Sequence, residues 1–248
     1  MIFNTHSHFY DEPNIKELYE KCLLNKVNKI ALIGTTIETS LKAIEVANEL
    51  EGCYATIGIH PSYADKDNIN DLLPLLNNNK VIAIGEVGLD YHYQDNPLPE
   101  RQKELFIKHI ELANKYKLPL IIHIRDAYQD AYQILKENKP LYGAVMHCFS
   151  GNAFEAKLFI DLGFYISFAG YITFKNSSIN REALKVVPLN KLLIETDDPY
   201  LTPVPFRGKK NEPSNVIYIL KEIALILEKD EKELEEQIYN NSLEFFKI

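Results

Sequence analysis

Eight short apolar runs, each followed by a longer amphipathic stretch, constrain this chain more than any other feature of its sequence. The runs are Ile2 to Asn4, Lys29 to Gly34, Tyr54 to Ile59, Val81 to Gly85, Pro119 to Ile122, Gly143 to Met146, Tyr165 to Phe168 and Lys191 to Glu195. Segments such as IALIG, VIAIG and LPLII are apolar at successive positions, as expected of strands buried on both faces in a parallel sheet. The stretches between them have helical spacing: ERQKELFIKHIELANKYK sets Leu105, Ile110 and Leu112 near one face with charge elsewhere, and IETSLKAIEVANEL and SNVIYILKEIALILEK read the same way. The repeat averages about 31 residues, enough for a strand, a helix and two connections. Eight such units close into a (β/α)8 TIM-like barrel of the α/β class, with outer helices. A doubly wound open sheet is the alternative, but no glycine-rich dinucleotide fingerprint supports it.

A chain of 248 residues with 46% hydrophobic and 25% charged residues buries a sizeable core unaided, and residues 1–248 read as one barrel domain. The cysteines Cys22, Cys53 and Cys148 are odd in number and form no CxxC pair. That argues against a disulfide framework and for a reducing, cytoplasmic setting. The first residues, MIFNTHSHFYDEP, carry no basic leader, and no run approaches the roughly 20 apolar residues that cross a bilayer. No membrane association is expected. The net charge of −8 excludes a broad nucleic-acid-coating face but leaves room for a small basic pocket. The acidic run EKDEKELEE reads as a solvated helix face. The proline-rich, basic stretch TPVPFRGKKNEPSN, residues 202–215, follows the last strand and becomes a loop at the barrel mouth.

The histidines and acids carry the chemistry. His6 and His8 follow the first run, His60 the third, Glu86 the fourth, His123 the fifth, His147 the sixth and Asp197 the eighth. In a barrel, the C-terminal strand ends converge on the face where active sites form. Buried charges without partners are costly, and a metal centre removes that cost by binding neutral imidazole and carboxylate together. In His6-Ser-His8, spacing of two along a strand turns both imidazoles to the same side. One ion needs three or four protein ligands. The six residues His6, His8, Glu86, His123, His147 and Asp197 exceed that and fit two divalent ions about 3.5–4 Å apart, bridged by a carboxylate. A histidine-rich set favours zinc, manganese, iron or nickel over magnesium.

These residues lie in motifs that resemble the TatD family of metal-dependent deoxyribonucleases: NTHSH at 4–8, GIHP at 58–61, GEVGLDY at 85–91, IIHIRDA at 121–127, HCFSG at 147–151, ETDDPYLTP at 195–203 and RGKKNEP at 207–213. The resemblance spans nearly the whole chain. It implies a TIM-like barrel that hydrolyses DNA phosphodiesters, often 3′ to 5′ as an exonuclease, and it suggests magnesium. It also implies that His6, His8 and Asp197 hold one metal, that His123 and His147 hold the second with Glu86 bridging, and that His60 and Arg125 face the substrate phosphate. Two positions depart from the family pattern. Asn4 stands where Asp is usual, which adds no charge beside the metals. Lys210 stands where Arg is usual, which replaces a forked donor with a point charge.

The expected enzyme is therefore a hydrolase with two divalent metal ions (Mg, Mn or Zn) acting on single-stranded DNA ends or short fragments. Glu86 and Asp197 are the catalytic carboxylates, and Asp197 accepts a proton from the attacking water. Arg125 offsets phosphoryl charge, and His60 orients a phosphate oxygen or protonates the leaving group. Arg207, Lys209 and Lys210 guide the backbone. The alternative is an ester or amide hydrolase on the same site, such as an aminoacyl-tRNA deacylase, because fold does not fix substrate. A non-catalytic scaffold would lack a ligand, and none is missing. Tyr91 and Phe149 either stack on a base or pack in the core. His92 lies in a loop near the mouth, where it is a candidate for substrate contact, and His109, on a helix, reads as ordinary surface or packing. Strand alternation turns Cys148 away from His147, toward the outer helices.

Overall fold

The computed structural model describes residues 1–248. Strands β1 (Ile2–Ser7), β2 (Val27–Ile33), β3 (Cys53–Ile57), β4 (Val81–Asp90), β5 (Leu120–Arg125), β6 (Ala144–Met146), β7 (Tyr165–Phe168) and β8 (Leu192–Ile194) pair in parallel in chain order. An isolated parallel bridge between Ser7 and Asp198 joins the last strand to the first. It is flanked by His8 N–H donating to Asp198 O at 3.1 Å and Asp197 N–H donating to His6 O at 3.1 Å. This is the (β/α)8 barrel expected from the repeat of apolar runs.

The outer layer is α1 (Ile15–Leu24), α2 (Ile37–Glu49), α3 (Pro99–Tyr116), α4 (Tyr128–Glu137), α5 (Ala153–Asp161), α6 (Ser178–Lys185), α7 (Val216–Leu227) and α8 (Glu231–Phe246). Side chains satisfy several of the free N–H groups at their starts: Thr36 caps α2, Asn152 caps α5 and Asp230 caps α8. One unit departs from the pattern. Between β3 and β4 the chain forms 3-10 turns, Pro61–Tyr63 and Ile69–Asn77, in place of an α-helix. Pro74 falls inside the second, and its missing N–H and ring prevent an α-helical run there. The acidic run near the C-terminus is an exposed helix face that buries only its Leu234 and Ile238 side.

Two apolar layers hold the barrel. The larger lies between strands and helices. The smaller fills the barrel interior, where Phe3, Ala31, Ile33, Ala83, Ile121, Val145, Tyr165 and Leu193 pack against Phe245 and Phe246 of α8. The Phe3 and Phe246 rings stack at 5.1 Å, so α8 plugs the end opposite the mouth. Side chains two residues apart share a strand face. Ile121 therefore sits below His123 on β5, while His147, Glu195 and Asp197 come just after the ends of β6 and β8.

β1, β4 and β5 run further than their apolar residues predict. The strands were expected to stop where polar residues begin, but His6, Glu86, Asp90 and His123 all lie within strands. Inward-facing polar groups are compatible with strand geometry when they have partners at the mouth. β4 and β5 also approach closely at Gly88, where φ is +142° and a Cβ would meet His123 O at 2.0 Å.

Of the two roles expected for His109, surface or packing, the structure shows packing. It is fully buried in α3. Its Nδ1 lies 2.9 Å from Leu105 O, and its Nε2 accepts from Ile59 N–H at 3.3 Å, so it pins α3 to the end of β3. Accepting at Nε2 requires a neutral ring, and burial pushes its pKa down to about 4. The folded state therefore binds a proton less readily than the unfolded chain. The stability this group contributes is complete above about pH 6.5 and is lost as pH falls toward 4. Urea unfolding at a series of pH values should show stability declining over this window, with a shallower decline in His109→Gln. Equal slopes for the two proteins would contradict the assignment.

Candidate metal centre

All six residues expected as metal ligands meet at the C-terminal end of the barrel. Glu86 is buried among them, and its two oxygens face two different groups of imidazoles. Oε1 lies 2.8 Å from His123 Nδ1, 3.0 Å from His147 Nε2 and 3.7 Å from His60 Nε2. Oε2 lies 3.4 Å from His6 Nε2 and 3.9 Å from His8 Nε2. Asp197 Oδ1 completes the second group, 3.6 Å from His6 Nε2 and 3.7 Å from His8 Nε2. The two imidazoles of the HxH motif converge, with their Nε2 atoms 3.1 Å apart.

The outward nitrogens decide which nitrogen of each ring is free. His147 Nδ1 sits 3.0 Å from Glu195 Oε1, His123 Nε2 sits 3.2 Å from Asp90 Oδ2, and His8 Nδ1 sits 3.2 Å from Ile33 O. Each partner can only accept, so each of these nitrogens carries the proton and the opposite lone pair is aimed into the site. Lone pairs directed at carboxylate oxygens repel unless positive charge lies between them. His6 Nδ1 is buried without a partner, and its Nε2 faces the same cluster. Nitrogens and oxygens arranged in this way fit divalent cations. Three groupings bring ligand atoms close enough to hold an ion: His6, His8 and Asp197; His6, Glu86 and His147; and His60, Asp90 and His123. The third is the poorest fit. His60 Nδ1 accepts from Ser62 N–H at 3.2 Å, so its Nε2 carries a proton and serves as a donor.

Without cations, protons supply the balancing charge. Burial opposes the charged form of His147, but the carboxylates of Glu86 and Glu195 outweigh it and raise the pKa well above the ordinary value. Burial likewise favours neutral Glu86, but His147, His123 and His6 hold its carboxyl well below the usual range. His60 goes the other way: burial, then the neighbouring His123, push it down to about 3. Cations binding at these positions displace imidazole protons.

Several side chains that build the site were not singled out from the sequence. Glu195 is buried on the inner face of the barrel. It accepts from His147, from Cys148 N–H at 2.5 Å and from Ser167 Oγ at 2.7 Å. Asp90 orients His123. Alternation was the available signal in both cases: Glu195 precedes Asp197 by two and Asp90 follows Glu86 by four. Asn4 touches no ligand side chain. Its amide donates to Thr196 Oγ1 at 2.7 Å and to Pro213 O at 3.3 Å, and its Oδ1 accepts from Thr196 N–H at 3.0 Å. It thereby ties β1 to the segment that carries Asp197. Buried Asp198, which accepts from Thr196 Oγ1, is pushed up to about 6 by burial.

Of the residues expected to meet substrate, His60 and Arg125 lie at the mouth. Arg125 makes no carboxylate ion pair; its Nη1 donates to Tyr93 OH at 3.0 Å. Arg207 is exposed, over the Phe174 ring, and Lys210 pairs with Glu12 at 2.6 Å. Tyr91 donates to Asp130 Oδ2 at 2.9 Å, and Phe149 is fully buried against Tyr128 and Phe168, so packing is its role. His92 pairs with Asp126 at 2.8 Å. Cys148 is a correction: β6 ends at Met146 and Cys148 has φ +44°, so strand alternation does not govern its direction.

Glu195→Gln should keep the fold but weaken metal binding by roughly 10–100-fold, because the amide oxygen still accepts from His147 while the negative charge that strengthens the ring as a ligand is lost. Calorimetric titration of the metal-free protein with zinc, in buffers of different ionisation enthalpy, measures both affinity and proton release. Unchanged affinity in the variant, or no proton release by the wild-type protein at neutral pH, would contradict this geometry.

Comparison with known proteins accords with the site. The family model described as TatD related DNase matches residues 3–247. The metal-dependent hydrolase YabD of Bacillus subtilis is 42% identical over the whole of both chains. The metal-dependent hydrolase YcfH of Escherichia coli is 37% identical over 95% of this chain and 89% of its own length. The crystal structure of YJJV, a TatD homologue from Escherichia coli, superposes with a TM-score of 0.95 at 29% identity, covering 100% of this chain and 98% of that one. The chain belongs to the TatD-related DNase family and is a metal-dependent hydrolase.

Proposed function

We propose that this hydrolase is a deoxyribonuclease that removes nucleotides from single-stranded DNA ends in the 3′-to-5′ direction, using two divalent ions. The observation that carries the reading is the divided carboxylate of Glu86, whose Oε1 faces His123 and His147 while Oε2 faces His6 and His8. That arrangement suits a bridging ligand between two cations. A phosphate-bearing substrate is favoured by Arg125, which lies beside the cluster without a carboxylate partner, and by exposed Arg207 and Lys209 on the loop after β8.

Divalent ions held by His6, His8 and Asp197 on one side and by His123 and His147 on the other, with Glu86 shared, would stabilise phosphoryl charge and acidify an attacking water. The protein residues do the rest. Burial raises the Asp197 pKa, but His8, His147 and His6 outweigh it and keep the carboxylate ionised, ready to take a proton from water. His60 is neutral near pH 7, with its proton on Nε2, so it donates a hydrogen bond to a phosphate oxygen. A ring with a pKa of about 3 is not charged at neutral pH and does not serve as an imidazolium acid for the leaving group. Arg125 supplies fixed positive charge opposite the phosphate.

Single-stranded oligonucleotides labelled at the 3′ or the 5′ end, incubated with protein that has been stripped by chelator and reloaded with magnesium, manganese or zinc, should release mononucleotides only with metal. Glu86→Gln should lower kcat by roughly 10²–10³-fold or more while circular dichroism shows an unchanged fold. If protein that binds two ions cleaves no oligonucleotide with any metal, the nuclease reading fails and ester or amide substrates take its place.

A further inference from the structure

The mouth of the barrel is chemically uneven. Exposed cations lie on the loop after β8, at Arg207, Lys209 and Lys210, the last paired with Glu12, and at Lys175 after β7. A groove of about 450 Å³ between the segments after β5, β6 and β7 has no cation in its lining. Two of its walls follow closely in sequence on residues of the metal-centre face. Asp126 directly follows Arg125 in sequence, and Ser150 lies three residues after His147.

The groove lining combines an aromatic ring, an apolar side chain, amides and carboxylates. Tyr128 forms one wall. Its ring packs edge-on against buried Phe149 at 5.5 Å, and its hydroxyl bonds Ser150 Oγ at 3.1 Å and accepts from Ser150 N–H at 3.3 Å. Ile179 on α6 adds an apolar face that is 61% exposed. Gln129 and Asn152 bring amide groups, and Asp126 and Glu155 bring carboxylates. Asp126 also accepts from His92, and Glu155 accepts from Asn152 N–H at 2.8 Å. Amide and carboxylate acceptors match the amino and ring N–H groups of nucleobases, and an aromatic wall offers stacking. Two carboxylates with no cation disfavour a phosphate. The size falls within the roughly 300–1,000 Å³ typical of small-molecule sites.

Resting on the nuclease reading above, we infer that this groove receives the 3′-terminal nucleoside of a polynucleotide, while the basic loop after β8 holds the phosphates of the chain still to be cut. The groove then accounts for end-directed cleavage. A free 3′-hydroxyl fits beside Asp126 and Glu155, whereas a 3′-phosphate or a continuing chain would bring negative charge against them.

The test compares oligonucleotides of one sequence ending in a 3′-hydroxyl or a 3′-phosphate, with bis(p-nitrophenyl) phosphate as a substrate that has no nucleoside, all on metal-loaded enzyme. The wild-type protein should favour the 3′-hydroxyl end in kcat/KM by about tenfold or more. Glu155→Gln, which keeps the cap on α5, and Gln129→Arg, on an exposed helix surface, should each narrow that ratio. A purely structural effect of either substitution would lower both rates and leave the ratio unchanged. Equal rates on the two ends, or variants with the wild-type ratio, would overturn the groove assignment alone. Hydrolysis of the small diester but of neither oligonucleotide, or of no phosphodiester at all, would overturn the nuclease reading together with it.

Discussion

The Glu86 carboxylate lies at the centre of the barrel mouth, buried, with the imidazoles of His6, His60, His123 and His147 within 4 Å of its oxygens. An anion withdrawn from water at this depth costs several kcal/mol unless it is compensated, and each neighbour answers that demand. The same rings would repel the carboxylate if their inward lone pairs met it bare. The arrangement therefore favours added positive charge, as protons on His147, His123 and His8 or as divalent cations in their place. Glu195, Asp90 and Ile33 O decide which nitrogen of each ring faces inward, so these outward acceptors, although away from the reacting atoms, determine that the inner face of the site is a ligand set.

The rest of the fold serves to hold this arrangement still. Phe245 and Phe246 close the far end of the barrel, and the apolar layer of Phe3, Ile121, Val145 and Leu193 fills it from below. The polar residues one step up the same strands therefore have a fixed floor. β1 and β8 meet through backbone hydrogen bonds made by the very residues that carry His6, His8 and Asp197, so barrel closure and ligand positioning are one event. Asn4 strengthens that seam. Its amide donates to both Thr196 and Pro213, which a carboxylate in its place could not do, and the nearby buried charge is left to Asp198. The departure from the family pattern at this position is thus matched by the hydrogen-bond network around it.

Much of this was legible in the sequence. Continuous apolar runs marked the eight strands because strands of a closed parallel barrel are buried on both faces, and histidines and acids after those runs marked the mouth. The strand ends were misjudged for the same reason: apolarity stops at Asn4 and Gly85, but hydrogen-bonded pairing continues through His6 and Asp90. Glu195 and Asp90 were passed over because a charge within or just after an apolar run reads as a boundary when only composition is weighed, whereas a period of two places both on the inner face. His109 could not be read locally. Its partner, Ile59 N–H, is 50 residues away, and only the packing of α3 on β3 brings them together. The 3-10 turns between β3 and β4 were not read from the sequence, although Pro74, which disrupts an α-helix interior, lies within the second of them.

Function depends finally on how charge is distributed around a centre that any hydrolase of this fold could share. The imidazoles and carboxylates define where a bond is cut but say little about which bond, since one barrel fold serves many substrates. Selectivity must come from the rim, and here the rim is divided. Arg125 stands over the cluster with a tyrosine rather than a carboxylate as its partner, so its charge is available to a substrate anion. Beyond it, Arg207 and Lys209 are exposed on the segment after β8, while carboxylates and amides line the groove near α4 and α5. A substrate with phosphates at one end and a neutral, flat, hydrogen-bonding group at the other matches both halves of that rim at once. A neutral amide matches only the groove, and an inorganic phosphate only the basic side. The proposal of a polynucleotide end therefore rests on the division of charge at the mouth more than on the metal centre itself.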